Sequence, residues 1–162
     1  MLRIRNVKKE DLSELIVVEQ HCFSEEEAAT EEAFKKRIEL IPDSFFVAEK
    51  NGVIVGLVNG PVIKTDVITD DLFDEIEKNP EFGGHQSILG LAVDPNYQNQ
   101  GIATTLLAHL EKEALKKKRT TITLTCKEYL IPFYEHHGFQ HNGVSKSQHG
   151  GAVWYNMSKH LS

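Results

Sequence analysis

The chain is short of several things, and each shortage excludes a class of protein. It has only two cysteines in 162 residues, Cys22 and Cys126, far apart and outside any metal-type spacing. They read as buried, reduced thiols, not as a disulfide framework. No apolar run approaches the roughly 20 residues that a membrane-spanning helix requires. The opening Met1-Leu2-Arg3-Ile4-Arg5-Asn6 lacks the apolar core of a signal peptide, so the expected location is cytoplasmic, with no membrane partner. A basic excess is lacking too. The net charge of −6 leaves no basic face for phosphate backbones, and no nucleic-acid partner is expected. That sign is compatible with drawing in a cationic amine. Neither G-x-x-x-x-G-K-[ST] nor G-x-G-x-x-G occurs, which excludes the two familiar nucleotide loops. There is no H-E-x-x-H, and His136-His137 has no metal-motif partner at helical spacing, so no metal is expected.

What is present is an ordinary globular composition, 40% hydrophobic and 26% charged. The length suits one core, and residues 1–162 are expected to form a single domain without repeats or linkers. Residues 2–7 alternate apolar and polar as a half-buried strand does. Leu12, Leu15, Ile16, Glu19, Cys22 and Phe23 follow helical spacing, mostly on one face. Thr30 is placed to cap a second helix, with Glu31 and Glu32 in its first turn. Between the helices lies the acidic Glu25-Glu26-Glu27.

Residues 44–50 read as a strand, Asn51-Gly52 as a hairpin turn, and 53–58 as the returning strand, running on towards Lys64. A short helix is expected over 69–79, in an acidic stretch, followed by a loop at 81–84. Residues 86–94 form an apolar strand that Pro95 ends. The next helix carries Ile102, Leu106, Leu107, Leu110 and Ala114 on one face. A strand at 120–126, a short helix from Tyr129 to His137 stopped by Gly138, and strands near 138–143 and 152–158 complete the chain.

The informative stretch is Ile88-Leu89-Gly90-Leu91-Ala92-Val93-Asp94-Pro95-Asn96-Tyr97-Gln98-Asn99-Gln100-Gly101-Ile102-Ala103-Thr104. A buried strand enters a turn, and the turn opens an amphipathic helix. Unpaired amides at such a helix start bind anions, and small residues at Gly101 and Ala103 let a diphosphate approach the backbone. A glycine inside a strand, here Gly90, marks a bulge or a close backbone approach.

Gln-x-x-Gly-x-Ala after Leu-Ala-Val-Asp-Pro resembles the acetyl-CoA motif of the GNAT superfamily of N-acetyltransferases. A second match is Pro132-Phe133-Tyr134-Glu135-His136-His137-Gly138-Phe139, with Tyr134 four residues before Gly138. The resemblance implies acetyl-CoA as cosubstrate and a mixed, mostly antiparallel α/β sheet. That sheet would have roughly six or seven strands, a central split and helices on both faces. It implies that backbone amides across Gln98, Asn99, Gln100, Gly101, Ile102, Ala103 and Thr104 bind the pyrophosphate. Leu91, Ala92 and Val93 would hold the pantetheine arm, with Phe133 a further coenzyme contact. Tyr134 is implied as the acid that protonates the departing thiolate.

Within the superfamily the chain is similar to the arylalkylamine N-acetyltransferases, through Gly83-Gly84-His85, Leu91-Ala92-Val93, Cys126 and Pro132-Phe133-Tyr134-Glu135. Ser87 and Leu89 stand where that group carries its catalytic histidines, which leaves His85, acting through water, as the candidate base. The expected acceptor is a small primary amine, with Phe23, Phe73 and Phe82 as possible wall residues, and the protein is a monomer or homodimer. Other readings stay open from sequence. Tyr134 also fits a packing role, His85 a solvated loop, and Glu25 to Glu27 either a solvated turn or an amine contact. The acceptor could instead be a protein N-terminus or lysine, and the chain a non-catalytic acyl-CoA-binding module.

Overall fold

The computed structural model describes residues 1–161. In chain order the strands are β1 (Leu2–Asn6), β2 (Phe45–Lys50), β3 (Val53–Asn59), β4 (Val62–Ile63), β5 (His85–Ile88), β6 (Gly90–Val93), β7 (Thr121–Cys126), β8 (Gln140–Val144) and β9 (Tyr155–His160). The α-helices are α1 (Leu12–Cys22), α2 (Glu31–Leu40), α3 (Ile102–Lys116) and α4 (Ile131–His136). One antiparallel sheet has the order β1-β2-β3-β6, and a second has the order β4-β5-β7-β9-β8.

The first sheet is built by side-chain alternation. Asn51 (φ 54°) and Gly52 (φ 80°) both adopt the positive φ that a tight hairpin turn needs, and so return β3 against β2. Successive residues of β2 then face opposite ways. Phe45 and Val47 join Leu15, Val18 and Phe34 of α1 and α2. Phe46 and Ala48 join Ile102, Leu106, Leu107 and Leu110 of α3. Helices therefore cover both faces, and the apolar stripe expected on α3 is its buried side. Thr30 caps α2 as expected, its hydroxyl accepting the Ala33 N–H at 3.1 Å.

The second sheet begins where the first lets go. β5 runs parallel to β7 from His85 opposite Thr121 to Ile88 opposite Leu124, with α3 as the crossover a parallel pair requires. Beyond Leu124, β7 stays with β9, as far as Cys126 opposite Tyr155. The other chain leaves at Leu89, whose N–H donates to the Asn59 carbonyl at 2.8 Å, and becomes β6 beside β3. The two sheets part at Ile88 and Leu124. The strand expected at 86–94 is thus two strands in two sheets. The run expected to continue from 53 towards Lys64 is likewise broken at Gly60-Pro61, where it crosses from β3 to β4. These two interruptions turn the expected sheet with a central split into a pair of sheets that diverge at the split.

Residues 69–79 do not form the expected helix; only a 3-10 turn at Asp70–Phe73 is present. Asp70, Asp71, Asp74, Glu75 and Glu77 crowd like charges into that span. Beyond the turn, Asn79 holds the chain extended: its Oδ1 accepts the Val62 N–H at 2.7 Å and its Nδ2 donates to the Asp43 carboxylate at 3.1 Å.

Gly60 is required by close approach, since a Cβ there would lie 2.1 Å from the Ser87 carbonyl oxygen. Gly60→Ala should therefore cost about 2–4 kcal/mol by forcing β3–β4 off β5. Urea unfolding should report this as a lower midpoint with an unchanged slope. An unaltered midpoint would contradict the crossing described.

Candidate active site

The turn after β6 is organised by Asp94. Its Oδ1 accepts the Asn96 N–H at 3.0 Å, and its Oδ2 lies 3.1 Å from His21 Nδ1. Donation from the Asn96 amide holds the carboxyl below its usual range. Residues Gln98, Asn99, Gln100 and Gly101 then lie exposed on the surface. Asn99 (φ 64°) and Gly101 (φ 78°) are left-handed, and Gly101 immediately precedes α3. Thr105 is the first amide bonded back into the helix, to the Gly101 carbonyl at 3.0 Å. The amides of Ile102, Ala103 and Thr104 are left without a helical partner. A Cβ on Gly101 would meet nothing within 4 Å, so the backbone φ, not crowding, demands glycine there. The surface above these amides is open, and such an array can hold a diphosphate. Lys50 flanks it, donating to Gln100 Oε1 at 3.0 Å.

The split lies between β6 and β7. Asp94 N–H bonds the Val55 carbonyl at 2.8 Å. Antiparallel alternation therefore turns the Ala92 amide towards β3 and the Leu91 and Val93 amides away from it. The Val93 carbonyl is taken by Cys22 Sγ (3.2 Å) and Gln98 Nε2 (3.1 Å). The Leu91 backbone faces the split. Leu124, Thr125 and Cys126 form the opposite wall, with Leu130 and Tyr134 beside them. The cavity is about 80 Å³. At about 10–15 Å³ per water, that admits several water-sized groups but no folded segment.

Tyr134 is buried, with its ring edge-on to Phe133 and Phe139 at 5.0 and 5.5 Å. Its hydroxyl makes no hydrogen bond among the described residues. Burial, aided by Cys126, pushes the phenol well above its usual value, so it stays protonated at neutral pH. Burial also pushes the Cys126 thiol up to about 11. α4 is tied to the start of α3, because His137 Nε2 lies 3.2 Å from Thr104 Oγ1 and the Phe133 ring packs on His137 at 4.7 Å.

The other end of the cavity is roofed by four connected segments. Phe73 stacks on His149 at 4.1 Å, and Asp70 accepts from the Ser147 hydroxyl and from the Gln148 amide at 2.9 Å. His149 Nε2 donates to the Glu27 carbonyl at 2.9 Å, and Trp154 Nε1 donates to the His149 carbonyl at 2.7 Å. The Glu27 carboxylate pairs with Lys127 at 2.6 Å. Phe23, Phe73, Trp154 and His149 supply aromatic wall, and Glu19 and Glu27 supply carboxylates. Glu19 is 5% exposed, and burial pushes its carboxyl up, against the pull of the Ala29 amide, Arg37 and His149.

Of the residues singled out from sequence, the fold brings Leu91 and Tyr134 to the cavity and joins Phe133 to Thr104. Phe23 and Phe73 line the wall, whereas Phe82 is 60% exposed and stands apart from it. Glu25 and Glu26 are exposed. His85 is not brought to the cavity. It starts β5, where its Nδ1 lies 2.6 Å from Thr121 Oγ1, and the split opens at the other end of that strand. The five-residue separation from Gly90 corresponds to about 16 Å along a strand. Ser87 is buried and donates to the Pro61 carbonyl at 2.6 Å. Sequence reasoning missed Glu19, Lys127, His149 and Trp154. Glu19 alone carried a signal, a carboxylate on the apolar face of α1. Among the described residues, no group of three or more potential His, Cys, Asp or Glu metal ligands occurs.

Residues 9–139 match the acetyltransferase (GNAT) family, and the chain belongs to that family. A protein of Yersinia pestis (strain Pestoides F) described as an acetyltransferase is 26% identical over 133 residues, spanning 78% of this chain and 77% of that protein. The fold is also similar to that of the GphF GNAT-like decarboxylase in complex with isobutyryl-CoA. There the TM-score is 0.85 at 19% identity, covering 99% of this chain and 100% of that one. Arabidopsis thaliana Naa50, in complex with the bisubstrate analogue CoA-Ac-MVNAL, has a TM-score of 0.76 at 19% identity, covering 99% of both chains. The protein is an acetyl-CoA-dependent acetyltransferase of the GNAT type.

The raised Tyr134 pKa has a measurable sign. The stabilisation from keeping the phenol neutral is complete below its unfolded pKa of about 10 and is lost as pH rises through the folded value. Near pH 10, wild type and Tyr134→Phe should therefore show equal phenolate absorbance. Loss of a quarter of the signal in the variant, one tyrosine of four, would refute the buried assignment.

Proposed function

We propose that the protein, acting as a single catalytic domain, transfers the acetyl group of acetyl-CoA directly to the primary amine of a small molecule. The observation that carries this reading is the roofed cavity in the split. It has a protonated phenol and a strand-edge amide at one end, and aromatic rings with carboxylates at the other. In this reading the diphosphate lies on the amides from Gln98 to Thr104, and the pantetheine arm follows the β6 edge past Val93 and Leu91. Phe133 packs beside it. The Leu91 N–H polarises the acetyl carbonyl and stabilises the oxyanion of the tetrahedral intermediate. Tyr134 gives its proton to the departing thiolate.

A small acceptor is favoured by the roof. A peptide entering amine-first needs an open groove behind its N-terminus, and the Phe73–His149 stack with the Asp70 contacts ties together the segments that line that end of the cavity. Phe23, Phe73 and Trp154 suit an apolar or aryl tail, in keeping with the resemblance to arylalkylamine N-acetyltransferases.

Two outcomes test the halves of this reading. Gly101→Val forces a β-branched residue to a positive φ and distorts the amide array. It should weaken acetyl-CoA binding by calorimetry at least tenfold; unchanged affinity would move the coenzyme elsewhere. Tyr134→Phe should lower kcat by about 10²- to 10⁴-fold while coenzyme affinity holds. Thiol release should be measured with acetyl-CoA across a panel of free amines and peptide N-termini. Turnover of peptides alone would replace the small acceptor with a protein one, and coenzyme binding without any turnover would favour a regulatory module.

A further inference from the structure

Glu19 is the unpaired carboxylate of the cavity wall. Its Oε2 accepts the Ala29 N–H at 2.8 Å, which orients the side chain. Its Oε1 is buried and has no hydrogen-bond partner among the described residues. No cation lies within ion-pair distance of it among those residues either. Arg37 is the nearest positive group in electrostatic effect, but it directs its guanidinium to Asn59 Oδ1 at 3.0 Å. The other carboxylate of the wall, Glu27, is already neutralised by Lys127. Buried polar atoms in native folds are almost always satisfied, and an orphan carboxylate oxygen beside a cavity marks a place for a missing partner. Phe23, Phe73 and Trp154 line the same cavity, and aromatic faces attract cations. His85 lies at the far end of β5 from the split.

We propose that Glu19 binds the acceptor's ammonium group in the cavity and takes its proton. This inference rests on the acetyl-transfer reading above and deepens it. The ammonium loses one proton to the Glu19 carboxylate, and the freed lone pair forms the C–N bond at the thioester carbon. The C–S bond then breaks, the thiolate takes the Tyr134 proton, and the second nitrogen proton restores the phenol. One proton stays on Glu19 and leaves to solvent when the product departs. Burial raises the Glu19 carboxyl, which makes its anion a stronger base than an exposed glutamate. The charged and titratable groups around it are Cys22 on the same helix, Arg37 from α2, Glu27 from the α1–α2 connection and His149 from the loop before β9. Cys126 of β7 and Tyr134 of α4 line the same cavity.

The test is Glu19→Gln, which keeps an oxygen for the Ala29 amide and removes the charge and the base. At neutral pH, kcat/KM for 2-phenylethylamine should fall a hundredfold or more. The gap should narrow above about pH 9, as solution supplies free amine. Coenzyme affinity should hold, and Tm should stay level or rise, because a buried carboxylate penalised by burial has been neutralised. In calorimetry, CoA-saturated wild type should bind 2-phenylethylamine at least tenfold more tightly than 2-phenylethanol, and the variant should lose that preference. Parallel pH–rate profiles with normal wild-type turnover would overturn the role of Glu19 alone. A fall in Tm and coenzyme affinity without a changed profile would do the same, by making Glu19 structural. No wild-type turnover, with the binding preference present and lost in the variant, would instead sink the acetyl-transfer reading and uphold the ammonium site.

Discussion

The structure depends on the parting of two strands. β5 and β7 share hydrogen bonds as far as Ile88 and Leu124, and beyond that pair each strand follows a different sheet. A sheet that ends its pairing in mid-length normally exposes an edge to solvent. Here the edge of β6 faces inward, into a cavity. The Leu89 amide anchored on Asn59 and the Gly60 contact on Ser87 hold this divergence open from the first sheet's side. Without them, β6 could continue β5's pairing with β7 and close the cavity.

Around that split the molecule keeps groups that cost stability. Tyr134, Cys126 and Glu19 are each shifted by burial towards the neutral form. A core optimised for stability alone would replace such groups with apolar side chains. Their grouping on one small cavity fits the proposed chemistry, in which a protonated phenol and a buried carboxylate serve acyl transfer to an amine. The roof over the other end is built from Phe73, His149, Trp154 and the Glu27–Lys127 pair, which lie far apart in the chain.

Much of this architecture was legible in the residues. The Asn51-Gly52 turn, the Thr30 cap, the buried face of α3 and the strand–turn–helix at 88–104 all follow from local rules: φ preference, side-chain capping and period. The short helix that carries Tyr134 and stops before Gly138 was legible as well, whereas the role of Tyr134 was implied only by the family resemblance. The helix expected over 69–79 was misread because Leu72, Phe73 and Ile76 suggested a helical face, while like-charge repulsion and the Asn79 tether act against one. His85 was a reasonable choice by proximity in sequence, but proximity along a strand is distance in space.

The chain by itself determined its four α-helices, its hairpin turn and the open amides at the start of α3, because each is set by interactions within a few residues. Only the tertiary structure decided where the strands part, which carboxylate stays unpaired and which rings close the cavity. Those outcomes depend on competition among partners distant in sequence. Glu27 finds Lys127, Arg37 finds Asn59, and Glu19 is left with one oxygen unclaimed.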